Sequence, residues 1–163
     1  MSALGEHMAA EIAETPEIYA RILTHKSEIS EIALAIAARK PHTVLFAGRG
    51  TSDHACIYGK YLVEVDLGLA AGLISPSSMT IYGATPKYDG VLLVAVSQSG
   101  GSPDLVESVR VARAHGATVL AITNTATSPL AQAAEFHIDV HAGVETAVAA
   151  TKSYNAQLLT LLL

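Results

Sequence analysis

Residues 91–96, Val-Leu-Leu-Val-Ala-Val, form an unbroken apolar run. A strand buried on both faces reads this way, and parallel sheets bury both faces of their strands. Shorter β-rich runs recur at 43–47, 68–74, 118–122 and 136–140. Helical stretches separate them. Residues 52–65 read as helix. Ser102-Pro103-Asp104 opens another that runs to about Ala114 and closes at Gly116. Ser128-Pro129 starts a short one, and 147–163 reads as the last. Strand and helix in alternation, with short connections, predict an α/β domain built on a parallel sheet of five strands flanked by helices.

A long helix is expected ahead of the sheet, over 16–39. Thr15 is placed to cap it, Pro16 to take its first position and Glu17 to lie in its first turn. Ile18, Ile22, Ile29, Ile32, Leu34 and Ile36 recur at near-helical spacing, and Pro41 stops the run. The chain thus divides into an N-terminal helical segment, 1–40, and an α/β domain, 41–163.

Composition narrows the function. Net charge is −5, and the basic residues are scattered, so no nucleic-acid footprint exists. Apolar residues make up 50% and charged residues 15%, against about 25% charged in an ordinary domain. That surplus predicts self-association, with a homodimer the expected form. No apolar run reaches the roughly 18 residues of a membrane span, and the first residues lack a signal peptide's pattern. The single cysteine, Cys56, lies in an apolar stretch and reads as a small buried residue. A cytoplasmic protein is expected. The seven histidines show no H-x-x-x-H pair, so no metal site is argued. His54 alone lies close to a candidate loop.

Ligands of doubly wound sheets bind beyond the carboxyl ends of the strands. The loop after the third strand, Ser97-Gln98-Ser99-Gly100-Gly101-Ser102-Pro103, packs three hydroxyls, an amide and two glycines into seven positions. Glycines let backbone N–H groups turn inward, and a helix start adds free donors and a positive dipole end. Such a loop either cradles an anion, with phosphate the favoured one, or is an ordinary turn capped by Ser102. The loop after the first strand is Gly48-Arg49-Gly50-Thr51-Ser52-Asp53. It fails as a dinucleotide fingerprint, because Asp53 holds the third glycine position and no acid ends the second strand. Gly59-Lys60 is followed by Tyr61, so no nucleotide phosphate loop is present. Thr51 and Ser52 are then helix caps or further phosphate ligands. After the fifth strand, Glu145 and Lys152 are the charges of the 142–152 segment. They either touch a sugar, or Thr146 caps the last helix and Lys152 is solvated.

Several of these stretches resemble one family. They are Gly50-Thr51-Ser52, Ser97-Gln98-Ser99-Gly100-x-Ser102-x-Asp104, Thr123-Asn124 with Ser128 and Leu130, and Glu145-Thr146-x-Val148-Ala149-x-Thr151-Lys152-Ser153. Together they resemble the sugar isomerase (SIS) domain. The likeness is to the first such domain of the glucosamine-6-phosphate synthase and amino-sugar-phosphate deaminase group. The opening Met8-Ala9-Ala10-Glu11-Ile12-x-Glu14-x-Pro16 is similar to the start of that module.

The resemblance implies a flavodoxin-like three-layer sandwich and a phosphorylated sugar as ligand. It implies that Ser97, Gln98, Ser99, Gly100 and Ser102 hold the phosphate, with Gly50, Thr51 and Ser52 beside them. Val148 falls where the family meets the sugar with backbone. No cofactor is implied. Three departures stand out. Gly101 replaces a frequent Glu, Ala150 replaces a frequent Ser, and Arg49 stands where the synthases usually carry Cys. The expected activity is half of an aldose–ketose isomerase or deaminase acting on an amino-sugar phosphate such as glucosamine 6-phosphate. The alternatives are a non-catalytic phosphosugar sensor module, or the isomerase part of a glutamine–fructose-6-phosphate aminotransferase. Neither a glutaminase domain nor the second SIS domain with its base-bearing helix is found in the chain, so inactivity of the lone chain is expected. Glu145 is the one nearby candidate for a base.

Overall fold

The computed structural model describes residues 5–163 of the chain. Five parallel strands form one sheet in the order β2-β1-β3-β4-β5. They are β1 (Thr43–Ala47), β2 (Ala70–Leu73), β3 (Val91–Ser97), β4 (Thr118–Thr123) and β5 (Phe136–Asp139). The expected fold class is the one observed. β3 lies at the centre, in register with β1 through Thr43 opposite Val91, and with β4 through Leu92 opposite Thr118. All seven β3 residues are buried.

Alternate β3 side chains face opposite layers. Leu92, Val94 and Val96 join a core with Val44, Phe46, Ile122 and Ile138. That face is covered by α2 (Thr15–Thr24), α3 (Lys26–Ala37), α4 (Thr51–Leu62) and α8 (Lys152–Leu162). Leu93 and Ala95 join a second core with Val119 and Ala121. That one is covered by α5 (Pro76–Thr80), α6 (Pro103–Ala114) and α7 (Pro129–Ala133). Ile18, Ile22, Ile29 and Ile36 of the N-terminal helices are buried in the first core. Each such side chain contributes about 1.5–3 kcal/mol on burial.

Four boundaries differ from expectation. The 16–39 helix is two helices that part at His25, because the Thr24 hydroxyl donates to the Arg21 carbonyl at 2.6 Å and ends the first. His25 then stacks on His141, ring centroids 3.9 Å apart. Thr15 lies inside α2 rather than capping it, since Glu14 is already helical and links α2 to a further helix, α1 (Glu6–Ala13). The 52–65 helix leaves α-geometry after Leu62 and closes with a π-helical turn, Val63–Leu67. The last helix starts at Lys152 rather than 147.

An apolar groove of about 630 Å³ lies against the first core, lined by Ile32, Ile36, Phe46, Leu67, Leu69 and Leu161 among others. It sits on a sheet face, not at the carboxyl ends of the strands.

Candidate functional site

β1 runs outward to β2 on one side, and β3 to β4 on the other. The switch point therefore falls between β1 and β3, and their carboxyl-end loops flank it. Glycine makes both loops possible. A Cβ on Gly48 would lie 2.8 Å from the Ser52 carbonyl and 2.9 Å from Cys56 Sγ, so its absence lets α4 start hard against β1. Gly100 has φ +62°, and a Cβ there would meet Ser128 Oγ at 2.3 Å.

Within the β3–α6 loop the serines are wired inward through their oxygens. The Gly100 N–H donates to Ser97 Oγ at 3.1 Å, and the Gly101 N–H to Ser99 Oγ at 3.3 Å. Each hydroxyl keeps its own proton to donate. Ser97 is buried, Gln98 half-buried and Ser99 exposed. Ser102 holds the N-cap position of α6, yet its side chain makes no capping bond. Gly50 has φ 57° at the N-cap position of α4, where no side chain caps either, and Thr51 follows half-buried. Ser52 is buried, and its Oγ accepts from Gln157 Nε2 of α8 at 3.1 Å. His54 points to solvent.

A hydrogen-bonded chain joins this loop to the next two. The Asn124 N–H donates to the Gln98 carbonyl and the Leu130 N–H to the Gly100 carbonyl, both at 3.0 Å. Asn124 then reaches the loop after β5, donating from Nδ2 to the Gly143 carbonyl at 2.7 Å and accepting at Oδ1 from the Ala142 N–H at 2.8 Å. Asn124 was visible in the sequence only as part of a family-like stretch. Its bridging role needed the sheet order.

The 142–151 segment is held by carboxylates. Glu145 Oε1 accepts from the Thr151 N–H at 2.8 Å and the Ser153 N–H at 3.2 Å, and Oε2 accepts from the Ser153 hydroxyl. Glu145 therefore caps α8, a role expected of Thr146. Thr146 instead donates its N–H and its hydroxyl to Glu11 Oε1, joined by the Ala147 N–H. The Thr146 N–H holds the Glu11 carboxyl below its ordinary pKa, against the opposing pull of burial. Lys152 is not solvated. Its side chain is 4% exposed, and Nζ donates to Glu14 Oε2 at 2.7 Å. Val148 projects fully into solvent. Sequence reasoning missed this latch from α1–α2, although Glu11 and Glu14 stand one helical turn apart in the opening stretch. Cys56 is fully buried, and burial pushes its thiol pKa up to about 12, with Asp53 adding to the shift.

Chemically, the edge offers hydroxyl donors around a helix N-terminus in an acidic protein. Such donors suit an oxyanion. The fold is a doubly wound α/β sheet, and the β1 and β3 loops form its candidate ligand site.

Comparison with known proteins identifies the family. The family model for the SIS domain matches residues 38–163. The chain is 35% identical over 164 residues to a glutamine–fructose-6-phosphate aminotransferase of Symbiobacterium thermophilum, covering 96% of this chain and 27% of that protein. It is 37% identical over 158 residues to the Aeropyrum pernix enzyme of the same name, covering 94% and 25%. A crystal structure of a proposed phosphosugar isomerase from Silicibacter pomeroyi superposes with TM-score 0.92 at 41% identity, covering 96% of this chain and 48% of that one. The C-terminal domain of the Francisella tularensis glucosamine-fructose-6-phosphate aminotransferase gives 0.83 at 26%, covering 99% and 47%. The chain belongs to the SIS domain family, homologous to the isomerase part of those aminotransferases. It spans about a quarter of the length of the curated relatives it matches.

Among the described residues, no helix is long and apolar enough to cross a membrane.

Proposed function

We propose that the chain binds a phosphorylated sugar at the β1/β3 crevice, as one half of an aldose–ketose isomerase or deaminase. The substrate class is an amino-sugar phosphate such as glucosamine 6-phosphate. The observation that carries the reading is the β3–α6 loop, whose serine oxygens accept from backbone while their protons stay free above the α6 N-terminus. Ser97, Gln98, Ser99, Gly100 and Ser102 take the phosphate, with Gly50, Thr51 and Ser52 at its flank. Val148 stands ready to meet the sugar. In the reaction a base moves a proton between C1 and C2 of the open-chain sugar. Glu145 is committed to the start of α8, so these loops bind and orient the substrate and the base comes from elsewhere. A cytoplasmic location fits this reading, since sugar phosphates do not cross membranes unaided. The exposed Tyr61, Val65 and Leu162 support a homodimer, and light scattering tests it: a mass near twice 16.9 kDa is expected, and a monomer refutes it.

Titration calorimetry with glucosamine 6-phosphate, fructose 6-phosphate and their unphosphorylated sugars tests the binding. Phosphorylated sugars should bind, and Ser97→Ala with Ser99→Ala should weaken them at least tenfold, since hydrogen bonds to a charged group contribute about 1.5–3 kcal/mol each. Unchanged affinity in the double variant refutes the cradle.

A further inference from the structure

Arg49 stands in the β1 loop, and its side chain crosses to α6. Its Nη1 lies 3.2 Å from Asp104 Oδ2. The other Asp104 oxygen accepts from the Leu105 N–H at 3.0 Å. β1 and β3 are neighbours, so this ion pair bridges the two loops that flank the switch point. Arg49 keeps 63% of its side chain exposed and Asp104 32%. A pair so exposed adds little to stability, and its location calls for another explanation.

Charge supplies one. No other Lys or Arg occurs in residues 48–53, 97–103, 123–130 or 142–151. Lys152, next along the chain, is buried and paired with Glu14. A dianionic phosphate in the cradle would have hydroxyls and a helix end around it, and a carboxylate, Asp104, in the first turn of that same helix. Asp104 opposes such a ligand unless its charge is matched.

We infer that Arg49 is a phosphate-binding residue that exchanges partners, resting on Asp104 in the empty protein and turning to the phosphate ester when the cradle fills. The inference rests on the phosphosugar reading above. A guanidinium presents paired N–H donors that fit two phosphate oxygens at once. Asp104 holds the side chain within reach and makes the ligand compete for it. The result is added selectivity for the phosphorylated over the free sugar, beyond what the serine cradle supplies.

The test is calorimetric titration of the whole chain with glucose 6-phosphate, inorganic phosphate and glucose, on five proteins: wild type, Arg49→Ala, Arg49→Lys, Asp104→Asn and the Arg49→Ala/Asp104→Asn double variant. Circular dichroism melts of each confirm folding. Arg49→Ala should weaken glucose 6-phosphate binding about tenfold or more, as expected for loss of a charge-assisted pair, and leave glucose unmoved. Arg49→Lys should recover part of that loss. Asp104→Asn should tighten phosphate binding about threefold by freeing the arginine, and the gain should vanish when Arg49 is absent. An equal gain in both backgrounds shows that Asp104 merely repels the ligand and overturns the exchange. Wild-type affinity in Arg49→Ala overturns the inference and leaves the phosphosugar reading standing. A wild type that ignores glucose 6-phosphate, inorganic phosphate and also glucosamine 6-phosphate overturns that reading, and the inference with it.

Discussion

Replacing Glu145 with alanine separates a helix cap from a reacting carboxylate. In the structure Glu145 takes the Thr151 and Ser153 N–H groups and the Ser153 hydroxyl. The variant leaves the first turn of α8 without those partners. Loss of a capping side chain costs about 0.5–2 kcal/mol. Loss of a negative charge beside the helix N-terminus adds about 0.3–1 kcal/mol. Glu145 is half-buried, so water replaces part of what is lost, and a total near 2 kcal/mol is expected. In a domain of this size each kcal/mol moves the melting temperature by about 2–4 °C, which gives a drop of about 4–8 °C. Glu145→Gln keeps one acceptor oxygen and should lose about half as much. Differential scanning calorimetry reads both, with Ser153→Ala as a partial control. A Glu145→Ala protein that melts with wild type refutes the capping account and returns Glu145 to candidacy as a base.

Gly100→Ala forces a side chain into the left-handed region and onto Ser128, at 2.3 Å. It should cost more than the roughly 1–2 kcal/mol of the backbone strain and weaken phosphosugar binding, both visible in parallel melts and titrations. Cys56 should resist a thiol reagent at neutral pH until urea unfolds the protein, because it is buried with a pKa near 12; fast labelling of the native state contradicts this. Glu11 has a lowered pKa in the folded protein. Its contribution to stability is therefore fully present above the ordinary glutamate value and is lost as pH falls through the lowered one. Glu11→Gln should remove that part of the acid dependence in urea titrations across the acid range, and an unaltered pH profile would refute the latch.

The central strands β3 and β4 were legible because burial on both faces leaves continuous apolar runs, and Val91 to Val96 could be little else. The loops after β1 and β3 were legible because a ligand edge needs glycine and hydroxyls in sequence. The break at His25 was not. Ile18, Ile22, Ile29 and Ile36 keep one helical phase across it, while the causes are a local Thr24 bond and a ring stack on His141, 116 positions away. Nor could residues 147–151 announce a loop. Ala147, Ala149 and Ala150 favour helix, but the backbone donors around them go to Glu11 and Glu145, one of which is 136 positions from Ala147. The burial of Lys152 was hidden for the same reason, since its partner Glu14 sits where α1 meets α2.

Amide chemical shifts of the ¹⁵N-labelled chain, followed as glucosamine 6-phosphate is added, test the central claim most directly. The account predicts shifts concentrated in residues 49–52 and 97–102, absent when unphosphorylated glucosamine is added. Shifts confined to the apolar groove around Ile32, Leu67 and Leu161, or equal responses to both sugars, would contradict it.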